Sequence, residues 1–376
     1  MKYLVLIADG MSDEGKNTPL EVAKTPNLDY LAQNGTCGWV SNVPAGMEPG
    51  SDVASMSILG YNPKKFYTGR GPLEAASLGV KLKKDEVCFR CNLVAIKDGK
   101  MESFTAHQIK TETADGIIKK LNHEFGSESC RFYTGLSYRH LCVIKKKELV
   151  KVKTVPPHDI TGKPIKNYLP KNKFLKEMMF KSQSLLKDQQ ANMIWLWGQG
   201  IAPKLKKFPK KGAIITAVHL LKGLGKLAGL SVINVPGATG YLDTNYKGKA
   251  EYALAALKKN DVVFVHVEAP DEAGHEGDFN HKVKAIEDFD KLVVGTILKD
   301  ISTSGDQDIR ILVLADHPTP VAKMTHTRNP VPFVIYGPKE ISGGIQSFGE
   351  KELKKAKIRI KEGYLLLSKQ LFVHKK

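Results

Sequence analysis

Three runs of aliphatic residues, far apart in the chain, each stop abruptly at acidic or imidazole side chains. YLVLIADG ends on Asp9, VVFVHVEAPDEAGH runs into Asp271 and His275, and IRILVLADHP ends on Asp316 and His317. Continuous Val/Ile/Leu runs bounded by turn residues predict strands buried on both faces, as in parallel sheets covered by helices. In open α/β sheets ligands gather beyond the carboxyl ends of such strands, so the three tips are expected to converge. With His326, ten residues past Asp316, they assemble three Asp and three His. That oxygen and nitrogen inventory suits two divalent cations and predicts a two-metal enzyme. A strand core has no cheap way to end in adjacent groups such as Asp316 and His317, because burying them unpaired is costly and a cation is the economical partner.

The 376 residues, 42% of them hydrophobic, can bury one large core or two modest ones. The five cysteines are odd in number and too sparse for a disulfide framework, which fits a reducing compartment. Cys88 and Cys91 form a CxxC with no second pair at zinc-finger spacing, so no metal is expected there. No run of roughly 18 apolar residues is present, and the first apolar run is too short for a signal peptide; a soluble, cytoplasmic protein with no membrane partner is expected. The net charge of +18 is compatible with nucleic acid or with an anionic small molecule. The lysines fall in scattered pairs and triples, such as Lys145 to Lys147 and Lys354 with Lys355, without interleaved aromatics. This favours a small phosphorylated substrate over nucleic acid. His219 and His281 read as ordinary helical or core residues, and His374 as solvated tail.

Strand and helix signals alternate at both ends of the chain, whereas the middle reads as α+β, with strand-like FRCNLVAI and YRHLCVI and helical TETADGIIKKLNHEF. The expected organisation is a discontinuous domain, residues 1–78 and 188–376, and an inserted domain, residues 79–187, facing each other across a cleft. Pro270, Gly274 and Gly277 predict a loop in which Asp271 and His275 close on an ion. In VPAGMEPGSDVASMSILGY, Ser51 stands at the mouth of a predicted helix. It reads either as an ordinary N-cap or, beside cations that activate its hydroxyl, as a nucleophile toward phosphorus.

ADGMSD, PGSDVASMSILGY, YTGRGPLEAASLGV, FRCNLV, SYRHLCV, PGATGYLDTNYKGKA, HVEAPDEAGHEGD and DHPTPVAKMTHTRNPVPF together resemble the archaeal-type cofactor-independent phosphoglycerate mutases of the alkaline phosphatase superfamily. The resemblance runs nearly end to end. It implies an α/β, alkaline-phosphatase-like sheet sandwiched by helices, with an inserted smaller α+β domain. It also implies that Asp271, His275 and His326 hold one ion, while Asp9, Asp316, His317 and the Ser51 oxygen hold the other. The implied activity interconverts 2- and 3-phosphoglycerate through a phosphoserine in glycolysis and gluconeogenesis, without bisphosphoglycerate; a related phosphohydrolase or phosphotransferase is the alternative. Manganese is the leading cation, with zinc, cobalt and magnesium also compatible.

A phosphoglycerate carries a phosphate and a carboxylate, which guanidinium forks bind best. Arg70, Arg90 and Arg139 are the candidates, with Arg328 behind them. The family-like segments add His107, His158, Asp159 and Lys222 as substrate-binding candidates. No heptad or apolar surface strip predicts an oligomeric state.

Overall fold

The computed structural model describes residues 1–187, 189–305, 308–338 and 340–373; His374 lies outside them. The chain forms two compact units, Met1–Tyr67 with Leu205–Lys376, and Thr68–Lys204.

The first unit is built on an eight-stranded sheet in the order Ile358–Ile360, Thr36–Val40, Val331–Tyr336, Ile309–Leu314, Lys2–Ala8, Val262–Val267, Gly212–Ile215 and Ser231–Ile233. Lys2–Ala8 lies at its centre, parallel to both Val262–Val267 and Ile309–Leu314, so all three end at the same edge. Every residue of Val262–Val267 and Ile309–Leu314 is buried, as their aliphatic content requires. Helices including Pro26–Asn34, Tyr246–Leu257 and Phe279–Asp288 bury their apolar stripes in the same unit. The sheet is not parallel throughout. Val331–Tyr336 runs antiparallel to Ile309–Leu314 and to Thr36–Val40. Residues 315–330 contain no helix, and a parallel return needs a crossover of the kind a helix supplies.

The second unit is an antiparallel sheet in which Val87–Lys97 pairs with Lys100–Ser103, Arg139–Ile144 and Met193–Gly200, and Cys130–Leu136 forms the edge beyond Arg139–Ile144. Thr111–Phe125 and Lys173–Leu185 bury Ile117, Leu121, Leu175 and Met179 in its core. This unit is wider than residues 79–187. Met193–Gly200 belongs to it through its ladder with Val87–Lys97, and Arg70–Ser77 because Ala75 packs with Cys88, Leu141 and Val143. Gly71 lets that helix close on the strand: a Cβ there would sit 2.5 Å from the Cys88 carbonyl oxygen. Cys88 and Cys91 fall in separate apolar clusters because side chains three apart on a strand point to opposite faces. Among the described residues no helix is long and apolar enough to cross a membrane.

Candidate active site

Asp9 follows the central strand directly, its N–H donated to the Val267 carbonyl at 2.8 Å. Asp316 stands two residues beyond Leu314, so parallel register alone brings the two carboxylates together. Asp316 Oδ1 accepts from the N–H groups of Gly10 (3.1 Å) and His317 (2.7 Å). Among the described residues its Oδ2, like Asp9 Oδ1, is buried with no hydrogen-bond partner. His317 Nε2 lies 3.3 Å from Asp316 Oδ2 and 3.6 Å from Asp9 Oδ1. Asp9, Asp316 and His317 each offer one ligand atom within 4.8 Å of the others.

Asp271, His275 and His326 form a second group by the same measure. Asp271 and His275 ride on a helix, Ala269–Glu276, and not on the expected loop. Pro270 is tolerated in the first turn, where its missing N–H would have had no helical partner, and Gly277 closes the helix in the left-handed region at φ 71°. The i, i+4 spacing then sets both side chains on one face. His275 donates from Nδ1 to the Met324 carbonyl at 3.1 Å, and its Nε2 lies only 2.8 Å from His326 Nε2. The two groups adjoin, with the His317 and His326 ring centroids 4.1 Å apart.

This donor set fits divalent cations. Asp9 and Asp316 each keep one buried oxygen without a hydrogen bond, and two imidazole nitrogens meet 2.8 Å apart beside Asp271. Burial, and then the charges of Asp316 and Asp271, push the Asp9 carboxyl well above the usual range, a cost that a cation would reverse.

Ser51 is the first residue of the helix Ser51–Ile58, while Gly50 holds the N-cap position. The serine hydroxyl is turned inward instead, 3.4 Å from Asp9 Oδ2 and 3.2 Å from His317 Nε2. The simple capping role does not describe it.

Sequence reasoning passed over several supporting residues. Thr319 donates its hydroxyl to Asp271 Oδ1, and buried Lys282 ties the Ser12 and Thr319 carbonyls to Asp13 Oδ2. Neither has a local signal, since a helical lysine reads as surface. His266 does have one, a lone imidazole inside the wholly buried run VVFVHV, and it sits 3.1 Å from Asp9 Oδ2. Burial pushes that imidazole down to about 4. A cavity of about 350 Å³ in this unit, lined by Asp13, Glu14, Thr18 and Glu350 among others, has the Asp13, Glu14 and Glu350 carboxylates committed to Lys282, Lys323 and Thr18.

Gly10 makes the close packing of the two groups possible. It adopts φ 61°, and a Cβ there would lie 2.7 Å from both Asp271 Cα and Thr319 Oγ1. Gly10→Ala is expected to destabilise the unit by about 1–3 kcal/mol, from left-handed strain plus overpacking. Urea denaturation checks this, and a midpoint unchanged from the wild type would contradict it.

In the second unit Arg90 is buried, its Nε 3.0 Å from a Glu74 carboxylate oxygen and its guanidinium 4.4 Å from the Trp197 ring centre. Arg70 approaches the same Glu74 at 3.6 Å and the same indole at 6.0 Å. His158 stands edge-on to Trp197 at 5.4 Å. Burial lowers Arg90 to about 10, opposed by Glu74 and reinforced by Arg70 and Arg139, so three guanidinium groups share one electrostatic neighbourhood. Arg139 covers the Tyr138 ring. His107 lies apart, 3.4 Å from Glu102, and Asp159 is exposed beside His158. Lys222, in the first unit, donates to Asn234 Oδ1 at 3.0 Å. Arg328, also there, donates to the Met47 carbonyl, bracing the segment that leads to Ser51.

The chain is 49% identical over 383 residues to the 2,3-bisphosphoglycerate-independent phosphoglycerate mutase of Methanosarcina barkeri, an alignment covering 95% of this chain and 96% of that one. It belongs to the family of 2,3-bisphosphoglycerate-independent phosphoglycerate mutases. The model of that mutase family matches residues 32–192. Among solved structures, a Pyrococcus horikoshii protein superposes with a TM-score of 0.81 at 28% identity, covering 98% of this chain and 95% of that one. The cofactor-independent phosphoglycerate mutase of Thermoplasma acidophilum superposes with a TM-score of 0.64 at 26% identity, covering 98% of each chain.

Proposed function

We propose that this protein interconverts 2-phosphoglycerate and 3-phosphoglycerate by passing the phosphoryl group through Ser51, with no bisphosphoglycerate. The observation that carries the reading is the Ser51 hydroxyl set among two adjoining acid and imidazole groups, 3.4 Å from Asp9 Oδ2 and 3.2 Å from His317 Nε2. Asp271, His275 and His326 are assigned to one divalent cation, and Asp9, Asp316, His317 and Ser51 Oγ to the other, with manganese the leading choice. Such cations, when bound, lower the pKa of a coordinated hydroxyl and offset the charge of phosphoryl oxygens.

Ser51 Oγ gives up its proton and attacks phosphorus in line as the ester bond to the donor oxygen breaks, and the departing oxygen takes up a proton in turn. The bound glycerate turns, its other hydroxyl loses a proton as it attacks phosphoserine, and the Ser51 O–P bond breaks. Two in-line displacements retain configuration at phosphorus, and nothing beyond the substrate is consumed. Arg70, Arg90 and Arg139 supply the forks for the substrate's anionic groups, with His107, His158, Asp159 and Lys222 as further contacts.

The test is a 31P NMR assay of 3-phosphoglycerate with Mn2+ and no added bisphosphoglycerate. 2-Phosphoglycerate is the expected product. Inorganic phosphate as the main product would replace the reading with a phosphohydrolase. For the arginine group, Arg90→Lys keeps a cation near Glu74 but removes the fork, and KM for 3-phosphoglycerate is expected to rise about tenfold or more, the size of one lost charge-assisted hydrogen bond. An unchanged KM in steady-state kinetics would remove Arg90 from substrate binding.

A further inference from the structure

The Asp9 carboxylate ends a buried hydrogen-bond chain that runs from Thr216 through His266. Val218 donates its N–H to Thr216 Oγ1 at 3.1 Å. The Thr216 hydroxyl has one hydrogen to donate and lies 3.4 Å from His266 Nδ1, so a ring whose Nε2 donates to the Asp9 carboxylate can accept from it on Nδ1. An Nδ1 that accepts leaves the ring proton on Nε2, which faces Asp9 Oδ2 at 3.1 Å. Thr216, His266 and Asp9 are at most 3% exposed, so water does not compete for these bonds. Strand register puts the three in line: Ile215 is opposite Val265, and His266 is opposite Ile7, two residues before Asp9. Lys249, fully buried, donates to the His266 carbonyl at 3.0 Å and fixes the backbone from behind.

We propose that Thr216 and His266 form a directional relay that donates a proton-bearing nitrogen to Asp9 Oδ2, leaving Asp9 Oδ1 to face the cation; His266 is thus a positioning residue for the metal centre. The inference rests on the reading of Asp9 as a cation ligand. The same relay orients Asp9 Oδ2 to accept the Ser51 hydroxyl 3.4 Å away.

The tautomer is read first, by 15N NMR on metal-free, histidine-labelled full-length protein, with the His266 signal assigned by its loss in His266→Gln. The relay requires a protonated Nε2 and a bare Nδ1, and Thr216→Val should abolish that preference. Mn2+ titration follows. His266→Gln keeps an N–H donor that can reach Asp9 and should bind two Mn2+ nearly as the wild type does. His266→Phe fills the slot without a donor and should weaken one of the two sites about tenfold to a hundredfold, leaving the other unchanged. Should His266→Phe not fold, Thr216→Val carries the same titration. An imidazolium or an Nδ1-protonated ring in the wild type would overturn the relay, as would unaltered Mn2+ binding in the donor-free variants. Wild-type protein that binds fewer than two Mn2+ would instead overturn the reading of the centre, and the metal-free tautomer keeps the two failures apart.

Discussion

Ser51→Ala is expected to lose about 10⁴-fold or more in kcat for the interconversion of 3- and 2-phosphoglycerate, the scale on which removal of a covalent nucleophile acts. The hydroxyl is not structural in any ordinary sense. Gly50 occupies the N-cap, the serine makes no capping bond, and its Oγ points to Asp9 and His317. The variant should therefore keep its thermal midpoint and bind nearly the wild-type amount of Mn2+, because the other six donor residues remain. Activity measured with stopped time points and 31P NMR decides the matter. A variant with a tenth of wild-type activity would return the serine to the architecture of the helix and leave the phosphoryl carrier to be found elsewhere.

Asp316→Asn should separate the metal's contribution from the fold's. The amide oxygen can still accept from the Gly10 and His317 N–H groups, so the loop keeps its shape. What changes is the buried Oδ2, which has no hydrogen bond and becomes an NH2 group unable to ligate. One of the two Mn2+ sites should weaken at least about a hundredfold, and kcat should fall about 10³-fold with it. Stability gives an independent sign. Asp316 is among the charges that push the Asp9 carboxyl up, so the metal-free variant should melt at or above the metal-free wild type. With Mn2+ added, the wild type should gain more, since a ligand that binds only the folded state stabilises by its own occupancy. Equal gains on Mn2+ addition would show that Asp316 does not hold the ion.

Much of the site could be read locally. Asp9, Asp316 and His317 each follow a buried aliphatic strand, and a continuous apolar run bounded by turn residues is a short-range signal. Asp271 and His275 were legible as a pair, though their helix was not, because Pro270 and two glycines suggest a loop until Pro is recognised in the first turn and Gly277 beyond the last. The limits of the second unit escaped for a different reason. Asn92 faces Trp195 across a ladder between segments about a hundred residues apart, and nothing in either segment names its partner.

The sequence by itself determined which chemical groups are available and that Asp9, Asp316 and His317 stand just past the ends of buried strands, since aliphatic runs and turn residues act over a few positions. Only the tertiary structure decided which atoms face one another. Asp9 Oδ1 and Asp316 Oδ2 are left without a hydrogen bond, His275 Nε2 meets His326 Nε2, and His266 reaches Asp9 Oδ2, because strand register and chain return bring residues 51 and 257 positions apart within a hydrogen bond's length.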